Sequence, residues 1–192
     1  EQEELNQSDS RLLNLILHSI GDLERISDHA KNISETASEM DRKNVRFSEA
    51  AQEEISVYMD AVREIVNMAT DAFIRLDMEL AGSVEPLEEV IDTINAEVKD
   101  RHIARLRKGT CTIELGFMLS DLSTNLERVA DHCSNLAVCT IETQKNEFDM
   151  HKYLKTVKKY DTDHFKERER FYEKKYALPQ TVEEADVAGA IL

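Results

Sequence analysis

The stretch from Asn125 to Leu136 reads Asn-Leu-Glu-Arg-Val-Ala-Asp-His-Cys-Ser-Asn-Leu, and Asp22 to Ile33 reads Asp-Leu-Glu-Arg-Ile-Ser-Asp-His-Ala-Lys-Asn-Ile. Leu, Glu, Arg, Asp, His and Asn recur at the same places, and the remaining pairs include conservative swaps such as Ile26 for Val129 and Ser27 for Ala130. Self-similarity of this kind marks a repeated structural unit. It extends upstream as apolar spacing: Leu12, Ile16, Leu23, Ile26, Ala30 and Ile33 correspond to Leu115, Leu119, Leu126, Val129, Cys133 and Leu136. Steps of three and four residues are those of a helix packed in a bundle, so each copy reads as one long helix.

At about 100° per residue, Glu24 and Asp28 lie beside the apolar seam, about 40° apart and one turn from each other. Glu127 and Asp131 stand in the same relation to the second seam. His29 and His132 project about 100° further round, which suits a supporting or interface role better than a ligand role.

Composition narrows the class. Five Gly, two Pro and no Trp in 192 residues, with 41% hydrophobic residues, suit an all-α fold with one sizeable core. A net charge of −15 argues against nucleic acid as a partner, because the phosphate backbone requires a basic surface, and it is compatible with cations. Three Cys without a CxxC spacing read as reduced thiols, with Cys133 a small hydrophobe on the seam. No apolar run approaches the roughly 18 to 20 residues of a membrane span. The polar start without an initiator Met is what a piece cut from a longer protein would show.

In chain order, the spacing predicts a helix from Asp9 to Met40 and a second from a Ser48 cap, with its seam at Ile55, Met59, Val62, Val66, Ala69, Phe73, Leu76 and Leu80. Gly82-Ser83 ends it. A third helix begins with Ser83 as cap and Pro86 in the first turn, and runs along Leu87, Ile91, Ile94, Val98, Ile103 and Leu106 to Gly109. Thr110 or Thr112 then caps the helix carrying the second motif. Short connections between long helices imply antiparallel neighbours. We expect a bundle over 1–146, a basic, aromatic helix over 147–178 packed on or beside it, and a mobile tail over 179–192.

Glu88 and Asp92 stand to Leu87 as Glu127 and Asp131 stand to Leu126. Both pairs lie at similar distances from the turn at Gly109, so an antiparallel hairpin would place all four carboxylates at one height, an oxygen-rich cluster suited to a hard or borderline cation. The competing reading is structural, with Arg25 and Arg128 pairing with acids and Asn32 and Asn135 bonding between helices. Isolated acidic pairs such as Asp60 and Glu64 are expected to be solvated. The sequence contains no Gly-rich phosphate loop, nucleophile elbow or HExxH motif, so no enzyme is expected.

The doubled Glu-Arg-x-x-Asp-His run resembles the signature of PhoU-like phosphate-transport regulators. His102-Ile103-x-Arg105-Leu106-x-x-Gly109-x-Cys111 resembles, more narrowly, the cytoplasmic C-terminal domain of bacterial sodium/phosphate cotransporters. The resemblance covers about Ser8 to Gln144. It implies two three-helix repeats, here with the first incomplete, and a non-enzymatic regulator at the cytoplasmic face of a membrane protein. It also implies an upstream transporter domain and divalent or trivalent metal ions, iron or zinc, on Glu88, Asp92, Glu127 and Asp131, with Glu24 and Asp28 lacking their expected counterparts. Arg25, His29, Asn32, Arg128, His132 and Asn135 would support them. A helical oligomerisation or adaptor module without metal is the alternative function.

Two further expectations come from the residues. The seam of the first helix is expected to lie inside, like that of the helix carrying the second motif, and any part that its missing repeat partners leave bare makes a homodimer plausible. The surplus of Lys and Arg over Asp and Glu between His151 and Tyr176, including Lys158, Lys159, Lys174 and Lys175, could lie on an anionic membrane surface, with Tyr153, Tyr160, Phe165, Phe171 and Tyr172 at its interface. Packing of those aromatics on the bundle, with lysines paired to its acids, is the favoured alternative.

Overall fold

The computed structural model describes residues 7–145 and 163–180. Among these residues there are six helices and no strand: α1 (Gln7–Lys43), α2 (Glu49–Arg75), α3 (Met78–Gly82), α4 (Val84–Arg107), α5 (Ile113–Lys145) and α6 (Asp163–Lys175). The all-α bundle expected from the spacing is what forms. Helices α2, α4 and α5 enclose the core, α3 plugs its end, α1 lies along α5, and α6 rests on α4. No described helix is long and apolar enough to cross a membrane.

Local chemistry sets most of the boundaries. Ser48 Oγ accepts from the Ala51 N–H at 3.4 Å and starts α2, and Thr112 Oγ1 accepts from the Leu115 N–H at 3.2 Å and starts α5. Gly109, at φ 70°, supplies the left-handed turn after α4. Helix α2 ends earlier than its apolar spacing predicts. Leu76 adopts φ 54° and closes the helix, and the Asp77 carboxylate then accepts from the Glu79 and Leu80 N–H groups at 3.0 Å to start α3. A strong Asp cap outweighs continuation of the stripe. Ser83 begins α4 without a side-chain capping bond.

The two copies of the motif meet different surroundings. On α5, Leu115, Leu119, Leu126, Val129, Cys133 and Leu136 are all buried, as the spacing predicts. On α1, Leu12, Ile16, Leu23 and Ala30 are exposed, and Ile26 and Ile33 are half-buried, contrary to expectation. The reason is neighbourhood. Helix α5 is covered by α1 on one side and by α2, α3 and α4 on others, whereas α1 packs only on α5 among the described elements. It presents Leu15 and Ser19, both buried, and then Asp22, Ile26, His29 and Ile33 to that single partner.

Two other seams depart from expectation in part, although Val62 and Ala69 on α2 and Leu87, Ile91, Ile94 and Val98 on α4 are buried as the spacing predicts. On α2 the most deeply buried stripe includes Ala51, Glu54, Tyr58, Ala61, Ile65, Ala69 and Ala72, flanked by half-buried Ile55, Met59, Val66 and Phe73. Four alanines in that stripe let neighbouring helices approach closely around Tyr58 and Ile65. On α4 the stripe continues from Val98 to His102, leaving Ile103 exposed, because Ile103 lies about 100° further round.

Glu54, only 2% exposed, receives Arg105 Nη1 at 3.0 Å and Nη2 at 2.6 Å, and Arg101 Nη1 at 3.4 Å, tying α2 to α4. Helix α6 docks through buried Tyr172 and Tyr176. Glu64, expected to be solvated, instead receives Lys175 Nζ and the Tyr176 hydroxyl, while Asp60 is exposed and paired with Arg63. Arg101 also donates to the Pro179 carbonyl at 2.6 Å. Tyr153, Lys158, Lys159, Tyr160 and residues 181–192 lie outside the described residues.

Candidate functional site

The two motifs face each other across the antiparallel contact of α1 and α5. His29 Nδ1 lies 2.8 Å from Asn125 Oδ1, and Asn32 Nδ2 donates to the same oxygen at 3.0 Å. In the reciprocal half, His132 Nδ1 lies 2.9 Å from Asp22 Oδ1 and Asn135 Nδ2 donates to that oxygen at 3.3 Å. The two imidazoles stack at the centre, 5.7 Å between centroids and 22° from parallel. The motif's His and Asn residues therefore build a local two-fold clasp, whose acceptors are the first residues of each copy, Asp22 and Asn125.

The carboxylates point away from this clasp. Glu88, Asp92 and Asp131 place one oxygen each within 4.8 Å of one another, between α4 and α5. Glu85, Glu88 and Glu89 form an adjoining group on α4 under the same limit, and Ser134 Oγ donates to Glu85 Oε2 at 2.5 Å. Glu127 does not join the trio. Its Oε2 accepts from Asn95 Nδ2 at 2.7 Å and lies 3.5 Å from Lys99 Nζ. Counting residues from the turn misses this register, in which Asp92 meets Asp131 and Asn95 meets Glu127, about one turn from the equal-height expectation. Arg128 Nη1 reaches Asp131 Oδ2 at 3.2 Å along the same helix.

Glu24 and Asp28 are exposed on α1 and belong to no such group among the described residues, and Arg25 is exposed beside them. Among the described residues, it is the second copy of the motif that joins a group of further carboxylates.

Tyr58 closes the site from α2. Its hydroxyl donates to the Ser123 carbonyl at 3.2 Å, and burial, followed by the charges of Glu127, Asp92 and Asp131, drives its ionisation far above the ordinary range. It stays a neutral donor. Sequence reasoning missed Tyr58, Asn95, Lys99, Glu85 and Glu89. Asp22 and Asn125 were legible as a repeated position but not recognised as the acceptors.

Three carboxylate oxygens within 4.8 Å match the span of ligands around one ion, since oxygen donors sit about 2 to 2.6 Å from a metal. All three donors are carboxylate oxygens without His or Cys, a set of the kind that hard or borderline cations prefer.

The PhoU domain family model matches residues 1–37 and 55–140, the first segment containing the α1 motif and the second the α5 motif. The chain belongs to the PhoU domain family. Among curated proteins, the phosphate-specific transport system accessory protein PhoU homolog 1 of Thermotoga maritima is 31% identical over 149 residues, covering 77% of this chain and 62% of its own length. A PhoU homolog of Pseudomonas putida is 31% identical over 134 residues, covering 70% of this chain and 52% of its own. One from Synechocystis is 28% identical over 142 residues, covering 72% and 61%. The chain thus spans between about half and three fifths of the length of these PhoU relatives. No solved structure matches the chain.

Proposed function

We propose that this PhoU domain is a non-enzymatic regulator of phosphate transport that holds a metal ion between α4 and α5. The observation that carries the metal is the convergence of Glu88, Asp92 and Asp131, because clustered carboxylates repel unless a cation or protons compensate them. Glu88 and Asp92 on α4 and Asp131 on α5 would hold the ion and clamp the two helices. The ion's part is charge compensation. The protein's part is orientation, with Ser134 fixing Glu85 and with Asn95 and Lys99 holding Glu127 beside the site.

The regulatory role is supported by the relatives, which are accessory proteins of phosphate-specific transport systems. The narrower assignment, to a sodium-dependent phosphate transporter whose membrane part lies upstream in the same chain, rests on the run from His102 to Cys111. On this reading the domain sits at the cytoplasmic inner face. The exposed apolar residues Leu12, Leu13, Ile16, Leu17 and Ile20 of α1 would be covered by a second copy. Contact of the basic C-terminal segment with anionic lipid has less support, because Tyr172, Tyr176 and Lys175 already engage the bundle.

Uptake of radiolabelled phosphate by cells carrying the complete protein tests the function. Deleting this domain should change uptake or its response to external phosphate, and Glu88→Gln with Asp131→Asn should reproduce part of that change. Uptake and response identical in the presence and absence of the domain would leave only the scaffold reading.

A further inference from the structure

A cavity opens between the α1–α2 and α4–α5 connections, about 20 Å along α4 from Glu88 at 1.5 Å per residue. Its volume is about 330 Å³, and Arg46, Ser48, His102, Arg105, Thr110 and Thr112 are among its walls. No carboxylate lines it, in a chain of net charge −15. The site is distinct from the acidic trio in both place and sign.

Its donors are in excess. Arg46 is exposed and forms no ion pair among the described residues. The Nη atoms of Arg105 are occupied by Glu54, but its buried Nε has no hydrogen-bond partner. His102 is 4% exposed and lies against Gly116, and the polar contact of its ring nitrogens is Cys111 Sγ, 3.6 Å from Nε2 and 3.8 Å from Nδ1. One thiol is a weak partner and serves one ring nitrogen at a time, which leaves the other nitrogen of the buried imidazole for a ligand. The caps of α2 and α5 add to this. Ser48 and Thr112 each accept a backbone N–H, which leaves their hydroxyl protons to donate, and first-turn amides with the helix dipoles favour negative charge.

We propose that this cavity binds a small tetrahedral oxyanion, a phosphate group, through Arg46, His102 and the paired starts of α2 and α5. The proposal rests on this donor set and not on the regulatory reading above. A phosphate group reaches such a site either as free orthophosphate or as the headgroup of an anionic lipid. Burial, then Arg105, depress the basicity of His102 against a smaller opposing pull from Glu54, so a bound anion should raise it.

The test is an NMR titration of the intact chain with inorganic phosphate at constant ionic strength, beside sedimentation with phosphatidylglycerol vesicles. Saturable shifts of the Gly109, Thr110, Cys111 and Thr112 amides, with an upward move of the His102 titration midpoint, are expected from the free ion. Vesicle binding without a response to free phosphate would assign the headgroup as the source. In either arm, Arg46→Glu should weaken binding about tenfold or more, a difference of about 1.4 kcal/mol, with circular dichroism and melting unchanged. Thr112→Ser, which keeps cap and hydroxyl, should bind like the wild type. The proposal is overturned by the absence of saturable response to both probes, by shifts that map to Asp92 and Asp131 instead, or by equal binding in Arg46→Glu.

Discussion

Glu54 shows how much one residue decides in this bundle. Two guanidinium groups reach it from α4 while it is almost completely buried, so Glu54→Ala leaves Arg105 facing a core without its counter-charge, while Arg101 retains Glu97. Breaking a buried pair from one side costs about 3 to 5 kcal/mol, which urea unfolding would register as a lowered midpoint. His102 gives a pH dependence of known sign. Its basicity is depressed in the folded chain by burial and Arg105, so the unfolded chain binds the proton more readily. Its contribution is therefore present above about pH 6.5 and is lost as pH falls below that value. Melting temperatures measured from pH 8 to pH 5 should fall less steeply in His102→Gln than in the wild type. At this scale the motif's Glu, Asp, His and Asn were legible because repetition marks them. Glu54 and Asn95 were not, since a charged or amide residue within an apolar face carries no signal until its partner on another helix is known.

Among the helices, the comparison of α1 with α5 separates what spacing encodes from what it does not. Leu23 and Leu126 occupy the same position in the repeat, but Leu126 is 1% exposed and Leu23 is 38% exposed. Leu126→Ala should cost about 2 to 5 kcal/mol, whereas Leu23→Ala should cost well under half as much in the isolated chain. Equal losses in parallel denaturant titrations would mean that α1 is enclosed as fully as α5. Asp77→Ala should cost about 0.5 to 2 kcal/mol by removing the cap that starts α3. Periodicity made the helices and their faces readable on α5, because an enclosed helix uses its whole apolar stripe. It misread α1, because which part of a stripe is covered depends on how many neighbours it has. It also misread the end of α2, because the apolar steps continue through Leu76 while the Asp77 cap interrupts the backbone.

As a whole molecule, the PhoU domain joins a two-fold clasp of His and Asn to an acidic trio that only one copy of its motif completes. The clasp fixes α1 on α5, and the trio lies on an adjoining flank, where α4 packs. If a second copy covers the apolar residues of α1, sedimentation velocity should show a dimer that Leu17→Glu dissociates without loss of helicity, since Leu17 is 59% exposed. A wild-type monomer across the micromolar range would remove that expectation and leave the trio untouched. The family and all-α architecture were legible from the doubled motif. The membership of the acidic trio was legible only in part, because a one-turn change in the α4–α5 register takes Glu127 out of it and sets it beside Asn95 and Lys99. The central claim is that Glu88, Asp92 and Asp131 form one metal site. Calorimetric titration of chelator-treated chain with ferrous iron under anaerobic conditions tests it most directly. One saturable ion per α4–α5 pair, lost in Asp92→Asn with Asp131→Asn and retained in Glu24→Gln with Asp28→Asn, is the predicted result. Binding undiminished in the first double variant, or absent from the wild type, would contradict it.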